Sequence, residues 1–382
     1  MSQLEDILER AVADGCAPGI VAAAITPRGE RLAAAAGVRE SGKPHAMTAD
    51  TVFWIASCTK AITTAAAMQL VEKGAIGLDD PLGPIIPALA HPRVLKGYDA
   101  AGMPITRPAR TPLTLRHLLT HMSGLAYDFF SPELTAYLRA VDQSVAIGDT
   151  PDYPLIFEPG EGWQYGVGID WAGQVIQAVS DQPLADYMDA HVFKPLGMTD
   201  STFFPREDQS GRRAAVHRRV EGGGFVATPF GMPPEPHFMM GGGGLFSTVT
   251  DYMAFIGAIL GEGASPGGAR ILKPQTVARM RDNHIGNLTV GPLQSANALM
   301  TNPFEPMPGV TKRWGLGFLI NEDPGPAGRS AGSLAWAGLA NCYYWIDPGT
   351  GAAGVMFAQV LPFADERILG TFETLERAVY AN

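Results

Sequence analysis

The sequence predicts an α/β fold in which both ends of the chain build one antiparallel sheet with flanking helices, and a mainly helical lobe is inserted between them. Three observations carry this. Near the start, Gly19 to Ile25 and Arg31 to Val38 are short apolar runs around Pro27-Arg28-Gly29, which reads as a hairpin. Near the end, Asn341 to Ile346 and Ala352 to Val360 flank the turn Asp347-Pro-Gly-Thr-Gly351, a second strand pair. Between them, from about 57 to 310, helical segments alternate with Gly/Pro loops and few alternating strands occur. The expected division is therefore 1–57 with 310–382 as the α/β lobe and 58–309 as the helical lobe. There is no internal repeat and no low-complexity tract.

The elements follow in order. Residues 3–14 read as an amphipathic helix, with Leu4, Ile7, Leu8 and Val12 on one face. The first hairpin comes next. A helix is expected over 58–73, stopped by Gly74; it is Ala-rich and almost uncharged until Glu72, so it should be buried. Further helices are expected over 114–121, 168–180, 183–194, 249–261 and 274–283. After the second strand pair, Ile368, Leu369, Phe372, Leu375 and Val379 recur at helical spacing and close the chain with a helix.

Composition narrows the function classes. The chain has 382 residues, 46% hydrophobic and 17% charged, enough for a large core and unlike a disordered segment. Its 45 glycines and 31 prolines make it loop-rich, but no Gly-X-Y period exists, which excludes a collagen. The net charge is −10 and no Lys/Arg cluster forms a phosphate-binding face, so nucleic acid is not an expected partner. Three cysteines, Cys16, Cys58 and Cys342, do not make a disulfide framework. No run of 18 apolar residues spans a membrane, and the first 15 residues are charged with no signal-peptide core. The expectation is a soluble, acidic, cytoplasmic protein that needs no cofactor.

Chemistry concentrates first at Ser57 and Lys60. Ser57 stands where the apolar run Phe53-Trp-Ile-Ala meets a helix start, and Lys60, three residues on, shares its helical face. A lysine on the first turn of a buried helix is costly without a partner or a task. Burial disfavours the ammonium and can turn lysine into a base near neutral pH, beside which a serine hydroxyl becomes a nucleophile. The same residues also read as an N-cap serine with a surface lysine.

Ser57-Cys-Thr-Lys60 matches the Ser-x-x-Lys element of serine β-lactamases and penicillin-binding proteins. Other segments match in order: Gly77-Leu-Asp-Asp-Pro81, Leu115-Arg-His-Leu-Leu-Thr-His-Met-Ser-Gly-Leu125, Phe157-Glu-Pro-Gly160 with Trp163-Gln-Tyr165, Pro195-Leu-Gly-Met198, and Gly241 to Thr248. Together they cover most of the chain. It resembles that superfamily, and within it the family VIII carboxylesterases, which share the class C β-lactamase fold. The resemblance implies a β-lactamase-like α/β fold with the active site between the two lobes.

The resemblance also implies roles. Tyr165 takes the place of the tyrosine of Tyr-x-Asn, sharing a proton network with Ser57 and Lys60; a neighbouring ammonium favours its phenolate, which can accept the serine proton and return it to the leaving group. Val167 replaces the asparagine, removing an amide contact. Trp336-Ala337-Gly338 stands in for Lys-Thr-Gly, so an apolar wall replaces the cation that would hold a substrate carboxylate. By itself Trp336 also reads as a core residue of a strand. The backbone N–H groups of Ser57 and Leu339 become the oxyanion donors. Tyr127, Trp336 and Gly338 are expected to line the substrate pocket.

Three other motifs are set aside. Gly328-Arg-Ser330-Ala-Gly332 has the form G-x-S-x-G, but a Pro/Gly loop precedes it and no histidine follows it, His284 being the last. His117 and His121 have the spacing of a helical zinc pair without the following glutamate, and no metal is assigned. Cys58 should be a packing residue.

The expected function is a serine carboxylesterase acting on short-chain esters through an acyl-enzyme on Ser57, with a small-molecule ester as its partner. Alternatives are a β-lactamase or D-amino-acid peptidase, an acyltransferase on the same fold, and a catalytically silent ligand-binding protein.

Overall fold

The computed structural model describes residues 3–220, 222–234 and 236–381. Seven strands form the main sheet: Gly19–Ile25 (β1), Arg31–Gly37 (β2), Lys312–Trp314 (β3), Leu319–Asn321 (β4), Leu334–Gly338 (β5), Cys342–Asp347 (β6) and Ala352–Phe357 (β7). Their order is β2-β1-β7-β6-β5-β4-β3, and every neighbouring pair is antiparallel. The first hairpin thus docks directly on the last strand, with Val21 opposite Phe357 and Ile25 opposite Ala353. All residues of β6 and β7 are buried. Alternate side chains explain this. Tyr343 and Trp345 meet Phe372 of the terminal helix Glu366–Ala381, while Tyr344 between them meets Tyr252 of helix Val249–Leu260. The sheet is covered on both faces, and its central strands read as continuous apolar runs for that reason.

The helices that frame the site and sheet are Gln3–Ala13 (α1), Thr59–Glu72 (α2), Leu115–Leu119 (α3), Gly168–Ser180 (α4), Val249–Leu260 (α5) and Glu366–Ala381 (α6). Pro132–Ala140 and Pro274–Arg281 are further helices, the latter where 274–283 is expected, and short helical turns lie between. α1 packs on α6 and β2. α2 packs on α4, and all twelve residues from Thr59 to Leu70 are buried, as its composition predicts. The expected helix over 183–194 is broken by one π turn, Asp189–Phe193, between Leu184–Met188 and Lys194–Leu196. Among the described residues, no helix is long and apolar enough to cross a membrane.

The stretch expected to be mainly helical, 58–309, and the residues leading into it hold more strand than the sequence suggests. Arg93–Tyr98 pairs with Pro104–Pro108, Val216–Arg219 with Phe225–Thr228, and Phe53–Trp54 with Phe246–Ser247. The run expected to continue from Ala352 to Val360 ends at Phe357; Val360–Leu361 instead pairs in parallel with His217 and Arg218.

Candidate active site

Ser57 lies in a single 3-10 turn, Ala56–Cys58, between Phe53–Trp54 and α2. Ala56 has φ 44°, a left-handed conformation that costs a non-glycine residue of order 1–3 kcal/mol. Its surroundings fix it. The Ile55 N–H donates to Leu245 O (3.0 Å), Thr59 Oγ1 to Ala56 O (2.6 Å), Tyr252 OH to Cys58 O (2.9 Å) and Gln359 Nε2 to Trp54 O (2.9 Å). The turn is therefore strained and clamped from α5 and the segment after β7, and Ser57 faces a cavity. Cys58 points away from it: its thiol is fully buried, approaches Cys342 O (3.8 Å), and burial raises its pKa well above the ordinary value.

Lys60 is completely buried. Its Nζ contacts Ser57 Oγ (3.1 Å), Tyr127 OH (3.0 Å) and Gly242 O (2.7 Å). Tyr127 OH in turn donates to Asp170 Oδ2 (2.7 Å), and Asp170 Oδ1 accepts the Gly242 N–H (2.8 Å). Asp170 belongs to the first turn of α4 and is buried. Burial raises its pKa; Lys60, Tyr127 and the Gly242 amide pull it back. A Cβ on Gly242 would stand 2.6 Å from the carboxylate, so the close approach requires glycine there. These four residues form a closed circuit of an amine, a phenol, a carboxylate and a peptide.

Counting donors fixes the roles within it. A carboxylate only accepts, so Tyr127 gives its proton to Asp170 and accepts from Lys60. Gly242 O also accepts from Lys60. Two of the three positions on Nζ are committed, and the third faces Ser57 Oγ. There an ammonium donates and a neutral amine accepts.

Tyr165 stands over the same lysine, with Nζ 4.9 Å from its ring centroid. Its hydroxyl is buried and has no hydrogen-bond partner among the described residues. The resemblance pairs Lys60 with Tyr165 and leaves Tyr127 to the pocket wall. The structure puts the hydroxyl of Tyr127 on Lys60, because Asp170 orients it, while Tyr127 also lines the cavity. His121 holds the turn carrying Tyr165: its Nδ1 accepts the Gly166 N–H (3.4 Å), and its ring lies 4.8 Å from that of Tyr165. Burial pushes the His121 pKa well down, which keeps the ring neutral.

Across the cavity, β5 brings Trp336 and Gly338, and the residue after it, Leu339, beside Ser57. A Cβ on Gly338 would stand 2.3 Å from Ile55 O, so only glycine lets this strand close on the turn before Ser57. Trp336 packs 4.8 Å from Tyr165 and 4.6 Å from Trp314. Phe129, Phe130, Ile147, Met240, Leu293 and Phe363 complete the wall. Among the described residues, no lysine, arginine or histidine lines this cavity. Arg313 is paired with Glu322 (2.9 Å) and Arg329 with Glu376 (2.7 Å), so neither substitutes for the missing cation. The space beside Ser57 is about 50 Å³, and it adjoins a larger cavity of about 650 Å³ through Tyr127, Phe129, Ile147 and Met240.

Ser330 is tied elsewhere: its hydroxyl donates to Asp347, and its N–H donates to the same carboxylate (2.8 Å). Among the described residues, no group of three His, Cys, Asp or Glu is placed to hold a metal ion. Sequence reasoning missed Asp170, Gly242 and the His121 contact. The available signal was an acidic residue on α4, otherwise Gly-Ile-Asp-Trp-Ala-Gly-Gln-Val-Ile; at a helix start such a residue reads as a dipole partner.

The family model described as Beta-lactamase matches residues 4–378. Lovastatin esterase of Penicillium rubens is 33% identical over 359 residues, covering 89% of this chain and 88% of that protein. Monacolin J acid methylbutanoyltransferase of Aspergillus terreus is 33% identical over 354 residues, covering 87% and 82%. Among solved structures, unliganded simvastatin synthase (LovD) from Aspergillus terreus gives a TM-score of 0.81 at 28% identity, covering 99% of this chain and 97% of that one. EstCE1, a hydrolase with promiscuous acyltransferase activity, shares the fold with a TM-score of 0.72 at 22% identity, covering 98% and 97%.

Proposed function

The chain belongs to the beta-lactamase family as a serine hydrolase or acyltransferase of that fold, and we propose that it is a carboxylesterase of the family VIII kind, working through an acyl-enzyme on Ser57. The observation that carries this reading is a nucleophile–lysine pair opening into a cavity whose described lining has no cation. Such a cavity suits a neutral ester. It offers nothing to the carboxylate of a penicillin or of a peptide terminus.

The steps follow from the hydrogen bonds. Ser57 Oγ attacks the ester carbonyl carbon, and its proton moves to Lys60 Nζ, 3.1 Å away. The resulting ammonium is balanced by Asp170 through Tyr127. The carbonyl oxygen becomes an oxyanion held by the N–H groups of Ser57 and Leu339. The bond to the alcohol oxygen then breaks. That oxygen takes the proton of Tyr165, whose hydroxyl has no other partner among the described residues, and Lys60 returns a proton to the phenolate. Tyr127 does not serve as this carrier, because its own proton is committed to Asp170. Water repeats the sequence in reverse and releases the acid.

The test is a burst of p-nitrophenol, one per chain, from p-nitrophenyl butyrate, with peptide mapping after fluorophosphonate labelling. The adduct is expected on Ser57, and Ser57→Ala abolishes the burst with the fold intact. An adduct on Ser330, or no burst, would sink this reading.

One observation favours a second reading. The adjoining cavity of about 650 Å³ has room for an acceptor alcohol, and relatives are named both as esterase and as transferase. An acyltransferase would deliver the acyl group to an added alcohol in preference to water. The ratio of new ester to free acid, measured against alcohol concentration, separates the two.

A further inference from the structure

We propose that the large cavity beside Ser57 holds the bulkier, alcohol half of the ester, and that Asp128 and Asp149 make it reject carboxylate-bearing alcohols in favour of bulky apolar ones that are neutral or cationic. This rests on the acyl-enzyme reading above and adds to it a substrate class.

Size divides the two compartments. A water needs roughly 10–15 Å³ of cavity volume measured by a water-sized probe. The space of about 50 Å³ at Ser57 therefore takes only a short group of a few heavy atoms. The adjoining space of about 650 Å³ takes a far larger one. Its walls are mainly apolar, with Tyr153, Val167, Phe230, Met232, Phe238 and Met300 among them. A ring system fits such walls and a highly polar group does not.

Charge sets the rest. The charged residues lining this cavity, among those described, are Asp128, Asp149 and Asp170. Asp170 has both carboxylate oxygens turned to Tyr127 and Gly242. Asp128 and Asp149 appear in no ion pair among the described residues. Asp149 is exposed at the cavity's edge, where its carboxylate accepts the Ala146 N–H (3.0 Å). Asp128 is half-buried, and burial raises its pKa. No lysine, arginine or histidine lies in the described lining. A ligand carboxylate would enter a largely apolar space beside two carboxylates and no counter-cation. A hydroxyl or an ammonium would meet acceptors instead.

The experiment compares three butyrate esters on one ring system: 2-naphthyl, 6-carboxy-2-naphthyl and 6-trimethylammonio-2-naphthyl. The carboxylate ester should show a kcat/KM roughly tenfold or more below the neutral one, and the ammonium ester should equal or exceed it. Asp128→Asn with Asp149→Asn should raise the anionic-to-neutral ratio of kcat/KM several-fold. The fluorophosphonate labelling rate of Ser57 in the same preparation reports that the variant is folded. Equal kcat/KM for the three esters, with a normal burst, overturns this proposal alone, as does a ratio unmoved in a variant that still labels. A missing burst with all three overturns the acyl-enzyme reading and this proposal with it.

Discussion

Asp170→Asn separates the circuit behind Lys60 from the groups that would touch substrate. The side chain keeps its shape and loses its charge. It now offers one acceptor oxygen and one NH₂ where two acceptors stood. If the oxygen faces Tyr127, the NH₂ meets the Gly242 N–H, donor against donor; if it is flipped, the NH₂ points at a hydroxyl already receiving from Lys60. One short, charged hydrogen bond is lost either way, worth about 1.5–3 kcal/mol. The charge itself lies two hydrogen bonds from Nζ. At an effective dielectric constant of about 20, a unit pair about 5–6 Å apart attracts by about 3 kcal/mol. The two figures describe overlapping parts of one interaction and do not add. They give an expected fall in kcat/KM of about 10- to 100-fold.

Asp170 borders the larger cavity, but both its carboxylate oxygens are engaged by Tyr127 and Gly242, so the loss should appear mainly in kcat with KM changed much less. Stopped-flow assays with p-nitrophenyl butyrate measure both. The pH profile adds a readout that a purely structural role would not give. Burial raises the Asp170 pKa, so wild-type activity should fall on the acid side above the ordinary carboxylate range as Asp170 takes a proton. The Asn variant should lack that fall and remain at its lower level. Its thermal midpoint should stay within about 4 °C of wild type, since the variant also removes a buried charge. A kcat within threefold of wild type, or an unchanged acid limb, would refute the assignment of Asp170 as the counter-charge of Lys60.

Lys60→Ala and Tyr165→Phe should each lower kcat by about 10²-fold or more, and the double variant should lose little beyond the worse single; additive losses would show that the two do not share one proton path. The kcat/KM for p-nitrophenyl butyrate should exceed that for a chromogenic cephalosporin by about 100-fold or more, because the cavity at Ser57 has Trp336 and no described cation to meet the cephalosporin carboxylate. Glu158, in the loop leading to Tyr165, is buried, which raises its pKa, but the Thr111 N–H, the Arg107 guanidinium and the Arg110 N–H hold it at about 2. The stability it contributes is complete above the ordinary value of 4.5 and disappears as pH falls towards about 2, so urea midpoints of wild type and Glu158→Gln should differ at pH 7 and converge near pH 2.

Local pattern was enough for what depends on neighbours in sequence. The apolar face of α1, the Ala-rich run of α2 and the period of α6 specify helices, because each residue's burial is set by positions three and four away. The hairpin of β1 and β2 is legible because its strands are adjacent in sequence across a Pro/Gly turn, Ile25 pairing with Arg31. Ser57 and Lys60 sit one helical turn apart, so spacing alone brings them together, and the tertiary structure keeps them 3.1 Å apart. Strands β3 and β4 are different. At three residues each they carry no period, and only the pairing of β4 with β5, and of β3 with β4, makes them strands.

The circuit behind the lysine is likewise a product of tertiary structure. Tyr127 and Lys60 are 67 positions apart, Tyr127 and Asp170 43, and Lys60 and Gly242 182. Nothing near Tyr127 in sequence distinguishes a wall residue from a proton-holding one; the difference is a carboxylate delivered by another helix. Hydrogen bonds are short and directional, so their partners are decided by how α2, α4 and the loop at Gly242 pack against one another. Sequence periodicity fixes which face each element buries, and the packing of those faces decides which polar atoms meet.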